Sequence, residues 1–385
     1  MTAATPSRRD NFRVTLQRRE RPAKVTVDLF GCPLSCLSER QLVNINRLLG
    51  FAYTPPDRPL SFAATPEPNE QLLRHYDIDT RGVGQIFAPK KSLFRRISDT
   101  VYADEWGIVR QFTGAYWDIV EFPLQDKSLA EIERYPFPDP QSIDAGELQA
   151  AAGKARDWHE HTDYAVCASH PVYGVFELAC WLFGFDDWLY RMAAEPEVVH
   201  AFSRRYLDYQ IEVSKIYYGM LGEYIDYTSS GDDFATQTST FVSKAMFDEL
   251  VQPYLKERIR VTKSLTKAAF LHHSCGSVAS LIPSLVNAGV DILNPIQPVT
   301  PEMSPSALTA NYGGVITFHG GFDTQTILPQ ADRATIFAET KKLLDAMGNG
   351  RGHIFAAAHN IQDDVPVENI DALFTAAQQY SVNGG

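Results

Sequence analysis

The feature that most constrains the fold is an alternation. Short apolar runs rich in β-branched and aromatic residues are each followed by a longer segment with helical spacing, and the pair recurs along most of the chain. Strands are expected at Lys24 to Leu29, Gly82 to Phe87, Tyr164 to Ala168, Tyr224 to Tyr227, Ala268 to His273, Gly289 to Leu293, Val315 to His319 and His353 to Ala358. Helices are expected at Glu195 to Met220, Ser243 to Thr266, Val278 to Ala288, Arg333 to Met347 and Val367 to Tyr380. Strand then helix at this spacing implies parallel strands joined by crossover helices. Ser243 offers an N-cap, Asn287-Ala288-Gly289 a helix stop, and Gly348-Asn349-Gly350 a break before the last strand. Eight candidate strands favour closure into a (β/α)8 TIM barrel, so the 385 residues read as a single α/β domain.

One stretch departs from the alternation. From about residue 60 to residue 140, segments such as Tyr102-Ala-Asp-Glu-Trp-Gly107 and Tyr135-Pro-Phe-Pro-Asp-Pro140 interrupt any long period. This reads as loops and short strands inserted on the barrel, a loop-rich lid over one end of it. Its aromatic residues Tyr102, Trp106, Tyr116 and Trp117 either wall an apolar pocket or pack the lid itself.

Charge and cysteine content exclude several function classes. A net charge of -12 speaks against binding a phosphate backbone, which requires clustered Lys and Arg. Arg8, Arg9, Arg13, Arg18, Arg19, Arg21 and Lys24 do gather near the start, where interleaved acids make a solvated helix face the expected reading. There is no apolar run of membrane-spanning length and no apolar core in Met1 to Asp10, so a soluble, cytoplasmic protein is expected, with neither nucleic-acid nor membrane partners. The five cysteines are an odd number thinly spread, which suggests reduced thiols rather than a disulfide framework.

Chemistry-bearing residues fall at strand ends. In a parallel barrel the carboxyl ends of the strands converge on one open face, where catalytic groups gather. Phe270-Leu-His-His-Ser-Cys-Gly276 ends a strand, and alternation puts His273 and Cys275 on one side with His272 and Ser274 on the other. His-x-Cys is a compact chelating pair for a borderline-soft ion such as zinc; a packed cysteine beside a hydrogen-bonded histidine is the plainer alternative. His319 and Asp323 follow a second strand, His359 follows the last, and Asp232 and Asp233 follow a third. Paired carboxylates after a strand can orient a ligand, take a proton or support a metal-bound histidine. Cys32 and Cys36, in Asp28-Leu-Phe-Gly-Cys-Pro-Leu-Ser-Cys36, are open to thiol chemistry or to ordinary packing. No Gly-x-Gly-x-x-Gly follows a strand, and neither a Walker loop nor a Gly-x-Ser-x-Gly elbow occurs. On the residues alone, the chain is a barrel enzyme of metal-assisted or acid/base type.

Several motifs carry a resemblance. Leu271-His-His-Ser-Cys-Gly276, Gly289-Val-Asp-Ile-Leu-Asn-Pro-Ile-Gln-Pro298, His319-Gly-Gly-Phe-Asp-Thr-Gln325 and His359-Asn-Ile-Gln-Asp-Asp-Val-Pro-Val-Glu-Asn-Ile370 resemble the uroporphyrinogen decarboxylase superfamily. So do Arg9-Asp-Asn-Phe12, Asp104-Glu-Trp-Gly107 and Gly231-Asp-Asp233 with Thr236-Gln237, and the likeness runs from about Arg9 to Tyr380. The resemblance implies a single (β/α)8 barrel and two possible chemistries: cofactor-free decarboxylation of uroporphyrinogen, or zinc-dependent methyl transfer between corrinoid proteins and thiols.

The residues favour the second chemistry. The decarboxylase branch has an early Arg-Gln-Ala-Gly-Arg motif for the substrate's propionates, where this chain reads Phe30-Gly-Cys-Pro-Leu-Ser-Cys36. Without paired arginines, an eight-carboxylate substrate lacks its charge partners. The methyltransferase branch implies zinc on a His-x-Cys pair, matched by His273 and Cys275, and on a later Cys, where this chain has His359. A His-Cys-His set with one open position is chemically sound, and an imidazole in place of a thiolate leaves the ion more electrophilic.

The expectation is therefore demethylation of a small methylated or methoxylated compound, with a metal at His273, Cys275 and His359. Asp232 or Asp233 would accept a proton or support the site, and His319 or Asp323 would contact the substrate. No Asp-x-His-x-x-Gly signature occurs, so a corrinoid would come from a partner protein or bind in the barrel mouth, with a thiol or folate as further methyl acceptors. The resemblance also implies a homodimer. Competing expectations are a cofactor-free decarboxylase or lyase of a small carboxylic acid, and a non-catalytic binding barrel.

Overall fold

A computed structural model describes residues 6–55, 66–89, 95–114 and 117–380. The alternation resolves into eight parallel strands in one sheet: β1 (Thr26–Val27), β2 (Thr80–Gly82), β7 (Ala165–Ser169), β8 (Tyr227–Gly231), β9 (Ala269–His273), β10 (Ile292–Asn294), β11 (Thr317–His319) and β12 (His353–Phe355). Their order is β1-β12-β11-β10-β9-β8-β7-β2. The two end strands meet through Asp79 N–H to Val27 O at 3.0 Å and Val27 N–H to the Asp79 carboxylate at 2.9 Å, which closes the α/β barrel.

Strand periodicity sorts the side chains into two layers. Leu271 of β9, Ala165 and Cys167 of β7, Tyr227 of β8, Ile292 of β10 and Ile354 of β12 fill the barrel interior together with Cys32. Phe12, on the helix Arg8–Gln17, enters this group and packs against Tyr227 with ring centroids 5.2 Å apart and planes tilted by 33°. Phe270 and the other outward residues pack beneath the surrounding helices in the larger apolar layer.

Several elements differ from expectation. The second strand is Thr80–Gly82 rather than Gly82 to Phe87, and the fourth is Tyr227–Gly231 rather than Tyr224 to Tyr227. The long helix expected over Ser243 to Thr266 is two, Lys244–Leu250 and Gln252–Leu265, because Pro253 has no N–H to continue the first one and instead starts the second.

The insertion contains a second sheet. Its strands β3 (Arg95–Arg96), β4 (Val101–Ala103), β5 (Val109–Phe112) and β6 (Trp117–Glu121) form an antiparallel ladder in sequence order. Trp106 is buried against Phe137, Tyr206 and Tyr209, and Tyr102 meets Trp117 edge-on at 5.3 Å, so these rings pack the insertion. Tyr116 lies outside the described residues.

The basic cluster at the start is only in part a solvated face: Arg13, Arg19 and Arg21 are exposed, but the others are tied down. Arg8 pairs with Asp77, Asp163 and Asp79, Arg9 with Asp226, and Lys24 with Asp77 and Asp79. These carboxylates precede β2, β7 and β8, so the cluster is tied to the amino-terminal end of the barrel, away from the strand ends that carry the histidines. Among the described residues, no helix is long and apolar enough to cross a membrane.

Candidate metal centre at the barrel mouth

His273 closes β9, Cys275 lies two residues on, and His359 follows β12 from the far side of the mouth. One donor atom from each lies within 4.8 Å of the others. The His273 Nε2 to Cys275 Sγ separation is 3.2 Å, and the His273 and His359 rings meet at 70° with centroids 5.5 Å apart. Zinc bonds of about 2.0–2.1 Å to nitrogen and about 2.3 Å to sulfur put tetrahedral donors roughly 3.3–3.8 Å apart. The three side chains thus fit one ion with small adjustments.

Local backbone chemistry sets this arrangement. Cys275 N–H donates to Asp233 Oδ1 at 2.8 Å and Gly276 N–H to Gln297 Oε1 at 2.8 Å, fixing the turn after β9. Gly276 has a φ of +86°, and a Cβ there would lie 2.3 Å from the Thr236 carbonyl oxygen, so only glycine fits. His272 faces the other layer, stacked on Phe234 at 5.4 Å with an interplanar angle of 10°. Burial holds it neutral, with its pKa pushed down to about 3.

The electrostatics favour a cation. Burial, then the charges of Asp233 and Glu177, push the Cys275 thiol up to about 12, so it remains protonated until a positive ion compensates. Desolvation and the neighbouring His273 lower the pKa of His359, which keeps its imidazole available as a neutral ligand. Asp233 Oδ1 also lies 3.6 Å from His273 Nε2.

The remaining residues of interest are placed as follows. Asp232 is buried and accepts Glu177 N–H at 2.7 Å and Phe176 N–H at 3.4 Å, so it caps the helix Val175–Phe183 instead of facing the mouth. Gly174 makes room for it, since a Cβ there would sit 2.0–2.2 Å from the Asp232 carboxyl group. Burial pushes Asp232 up to about 7. Asp323 accepts the N–H groups of Gln325, Thr326 and Ile327 at 3.0, 2.6 and 2.9 Å and starts the turn Ile327–Gln330. It also lines a cavity of about 140 Å³ with Cys275, Pro295, Gln297, Ala358 and His359.

His319 is not brought to the open face. It is fully buried, with Nε2 2.7 Å from Asp28 Oδ2 and Nδ1 2.7 Å from Asn294 Nδ2. Asp28, Cys32 and His319 also place donor atoms within 4.8 Å of one another, but this buried trio is closed by the Asp28–His319 bond. Cys32 and Cys36 are buried thiols whose pKa values burial raises, as packing residues require.

Three residues that the sequence reading did not single out bear on the site. Glu177, at the start of Val175–Phe183, is pushed up to about 8 by burial and then by Asp232 and Asp233. Asn294 ends β10 and Asp28 follows β1, and a polar residue at the carboxyl end of a barrel strand was the available signal for both.

Comparison with known proteins fits this architecture. Residues 119–380 match the family described as Uroporphyrinogen decarboxylase (URO-D). Two bacterial proteins named uroporphyrinogen decarboxylase are similar over short stretches: that of Actinobacillus succinogenes is 30% identical over 100 residues, 26% of this chain and 27% of the relative. That of Mannheimia succiniciproducens is 33% identical over 72 residues, 19% of this chain and 20% of the relative. The chain thus spans about a quarter of the length of these curated relatives. A solved structure, a methyltransferase from Methanosarcina mazei, superposes with a TM-score of 0.66 over 97% of this chain and 98% of that one, at 16% identity, a likeness of fold. With the family match covering about two thirds of the chain and six of the eight barrel strands, the chain belongs to the uroporphyrinogen decarboxylase family.

Proposed function

We propose that the chain is a zinc-dependent methyltransferase that demethylates a small methylated or methoxylated compound. The observation that carries this reading is the convergence of His273, Cys275 and His359 donors at the carboxyl ends of β9 and β12. A zinc ion held there would supply Lewis acidity, polarising the substrate's methylated sulfur or oxygen so that it can leave with the electron pair of the bond to the methyl group. His273 and His359 would present neutral imidazole nitrogens and Cys275 a sulfur, leaving one position for the substrate. Asp233, next to the Cys275 N–H and to His273 Nε2, would accept the proton of a thiol acceptor and pass it to the heteroatom from which the methyl group leaves. Asp323, on the wall of the adjoining cavity, would contact the substrate, whereas His319 would act from below through Asn294.

The methyl group would leave the substrate heteroatom for a corrinoid presented by a partner protein, or for a thiol or folate acceptor. Among the described residues lining the cavity there is no Lys or Arg, which supports a neutral or weakly charged substrate over a polycarboxylate. A homodimer belongs to the same reading.

Elemental analysis of protein purified without chelator tests it. One zinc per chain is expected in the wild type and less than one tenth of that in Cys275→Ala. Wild-type protein that takes up no zinc, even when the ion is supplied, would overturn the reading and leave the cofactor-free decarboxylase of a small carboxylic acid in its place. Tight binding of a methylated compound without turnover would instead support a binding barrel.

A further inference from the structure

Beneath the metal donors, a file of hydrogen bonds runs into the barrel interior. His273 Nδ1 lies 2.5 Å from Asn294 Oδ1, Asn294 Nδ2 lies 2.7 Å from His319 Nδ1, and His319 Nε2 lies 2.7 Å from Asp28 Oδ2. All four residues are buried. The file crosses the neighbouring strands β9, β10 and β11 and then passes β12 to end just after β1.

The donors and acceptors along it are determined from its far end. Asp28 is held by three other donors: Gly31 N–H at 2.8 Å, the Ser35 hydroxyl at 3.0 Å, and the Thr80 hydroxyl. Donors thus occupy both of its oxygens, Gly31 and Thr80 on Oδ1 and Ser35 on Oδ2, so Asp28 is a carboxylate that only accepts. His319 must therefore donate from Nε2. The Asn294 NH2 group lies against Nδ1 at 2.7 Å, so Nδ1 accepts and the ring carries its proton on Nε2. The Asn294 carbonyl is left facing His273, so His273 must donate from Nδ1. Its Nε2 lone pair is then aimed at Cys275, the direction a metal ligand needs.

We propose that Asp28, His319 and Asn294 are positioning residues that fix His273 in the tautomer protonated at Nδ1, preparing Nε2 for the metal before any ion arrives. An unlocked ring would spend part of its time with a proton on Nε2, and that fraction cannot bind. An amide at position 294 accepts from one ring and donates to the other, so it passes the direction of donation from ring to ring. Leucine, of similar size, offers neither group. Aspartate accepts on both sides, so it preserves the bond from His273 provided His319 takes a proton on Nδ1.

The consequence for affinity rests on the metal site proposed above; the tautomer itself does not. The experiment reads both. Long-range proton–nitrogen correlation spectra of metal-free protein with labelled histidine report which ring nitrogen carries the proton, the His273 signal being identified by its loss in His273→Gln. The expected result is a single Nδ1–H tautomer in the wild type and in Asn294→Asp, and a mixture in Asn294→Leu. Zinc affinity, measured against a chromophoric chelator, should fall 10- to 100-fold in Asn294→Leu and stay within about threefold in Asn294→Asp. Circular dichroism and unfolding midpoints establish that each variant is folded. If Asn294→Leu does not fold, Asp28→Asn, which keeps the shape but supplies an N–H against the donors around it, should likewise give a mixture. A folded Asn294→Leu protein that keeps the pure Nδ1–H tautomer would overturn the proposal. A wild type with the Nδ1–H tautomer that binds no zinc would defeat the metal reading and leave the positioning role standing.

Discussion

At position 359 this chain carries an imidazole where its methyltransferase-like resemblance implies a thiolate. The exchange keeps a zinc-competent donor but lowers the charge of the ligand set. His359→Cys should therefore tighten zinc at least tenfold and His359→Ala loosen it 10- to 100-fold, both by chelator competition. The thiol of Cys275 is held protonated by burial and by Asp233 and Glu177, so zinc uptake should release a proton, detectable as a buffer-dependent heat in calorimetry. Glu177 supplies a pH prediction for the metal-free protein. Its carboxyl rises from 4.5 to about 8 on folding, so the folded state binds the proton more tightly. The stability this contributes is present below pH 4.5 and is lost as pH rises towards 8. Glu177→Gln should consequently match the wild type near pH 4 and exceed it by at least about 1 kcal/mol near pH 8.5 in urea unfolding. The convergence of the candidate donors His273, Cys275 and His359 was legible at residue scale because each lies at or just beyond a strand end. It was not legible for His319, because a strand-end position does not say whether a side chain rises into the mouth or turns inward to a buried carboxylate such as Asp28.

At the scale of elements, the turn that follows β9 is the part on which the metal donors depend. Gly276 holds a left-handed φ of +86° against the Thr236 carbonyl. Gly276→Ala should cost about 1–3 kcal/mol in unfolding free energy and should also weaken zinc, because Cys275 moves with the turn. A variant with wild-type stability and wild-type zinc affinity would show that the turn does not set the ligand geometry. Long helices with a clean period, such as Pro196–Leu221 and Arg333–Ala346, were readable from apolar spacing. The split at Val251 was signalled by Pro253, yet the apolar period runs through it unbroken, which is why it read as one helix. Short strands in the insertion were expected, but their pairing into the antiparallel ladder β3 to β6 was not legible, since two- to five-residue strands carry too few alternations to register against their turns.

The whole molecule is a closed barrel whose two ends do different work. Ion pairs of Arg8, Arg9 and Lys24 with acids before β2, β7 and β8 fasten the amino-terminal end, and the side chains of the carboxyl-terminal end carry the candidate chemistry. The basic cluster read as a surface because local sequence does not reveal partners such as Asp77, Asp163 and Asp226, which lie far along the chain. A ligand that binds only the folded barrel should stabilise it as a unit. At zinc concentrations about a hundredfold above the dissociation constant, the gain is about 2.7 kcal/mol, read as a rise in the unfolding midpoint that is absent from Cys275→Ala. X-ray absorption at the zinc edge of the loaded wild type tests the central claim most directly. The expected shell is one sulfur at about 2.3 Å with three nitrogen or oxygen neighbours at about 2.0–2.1 Å, two of them showing imidazole scattering; a shell without sulfur, or one with two sulfurs, would contradict a site built from His273, Cys275 and His359.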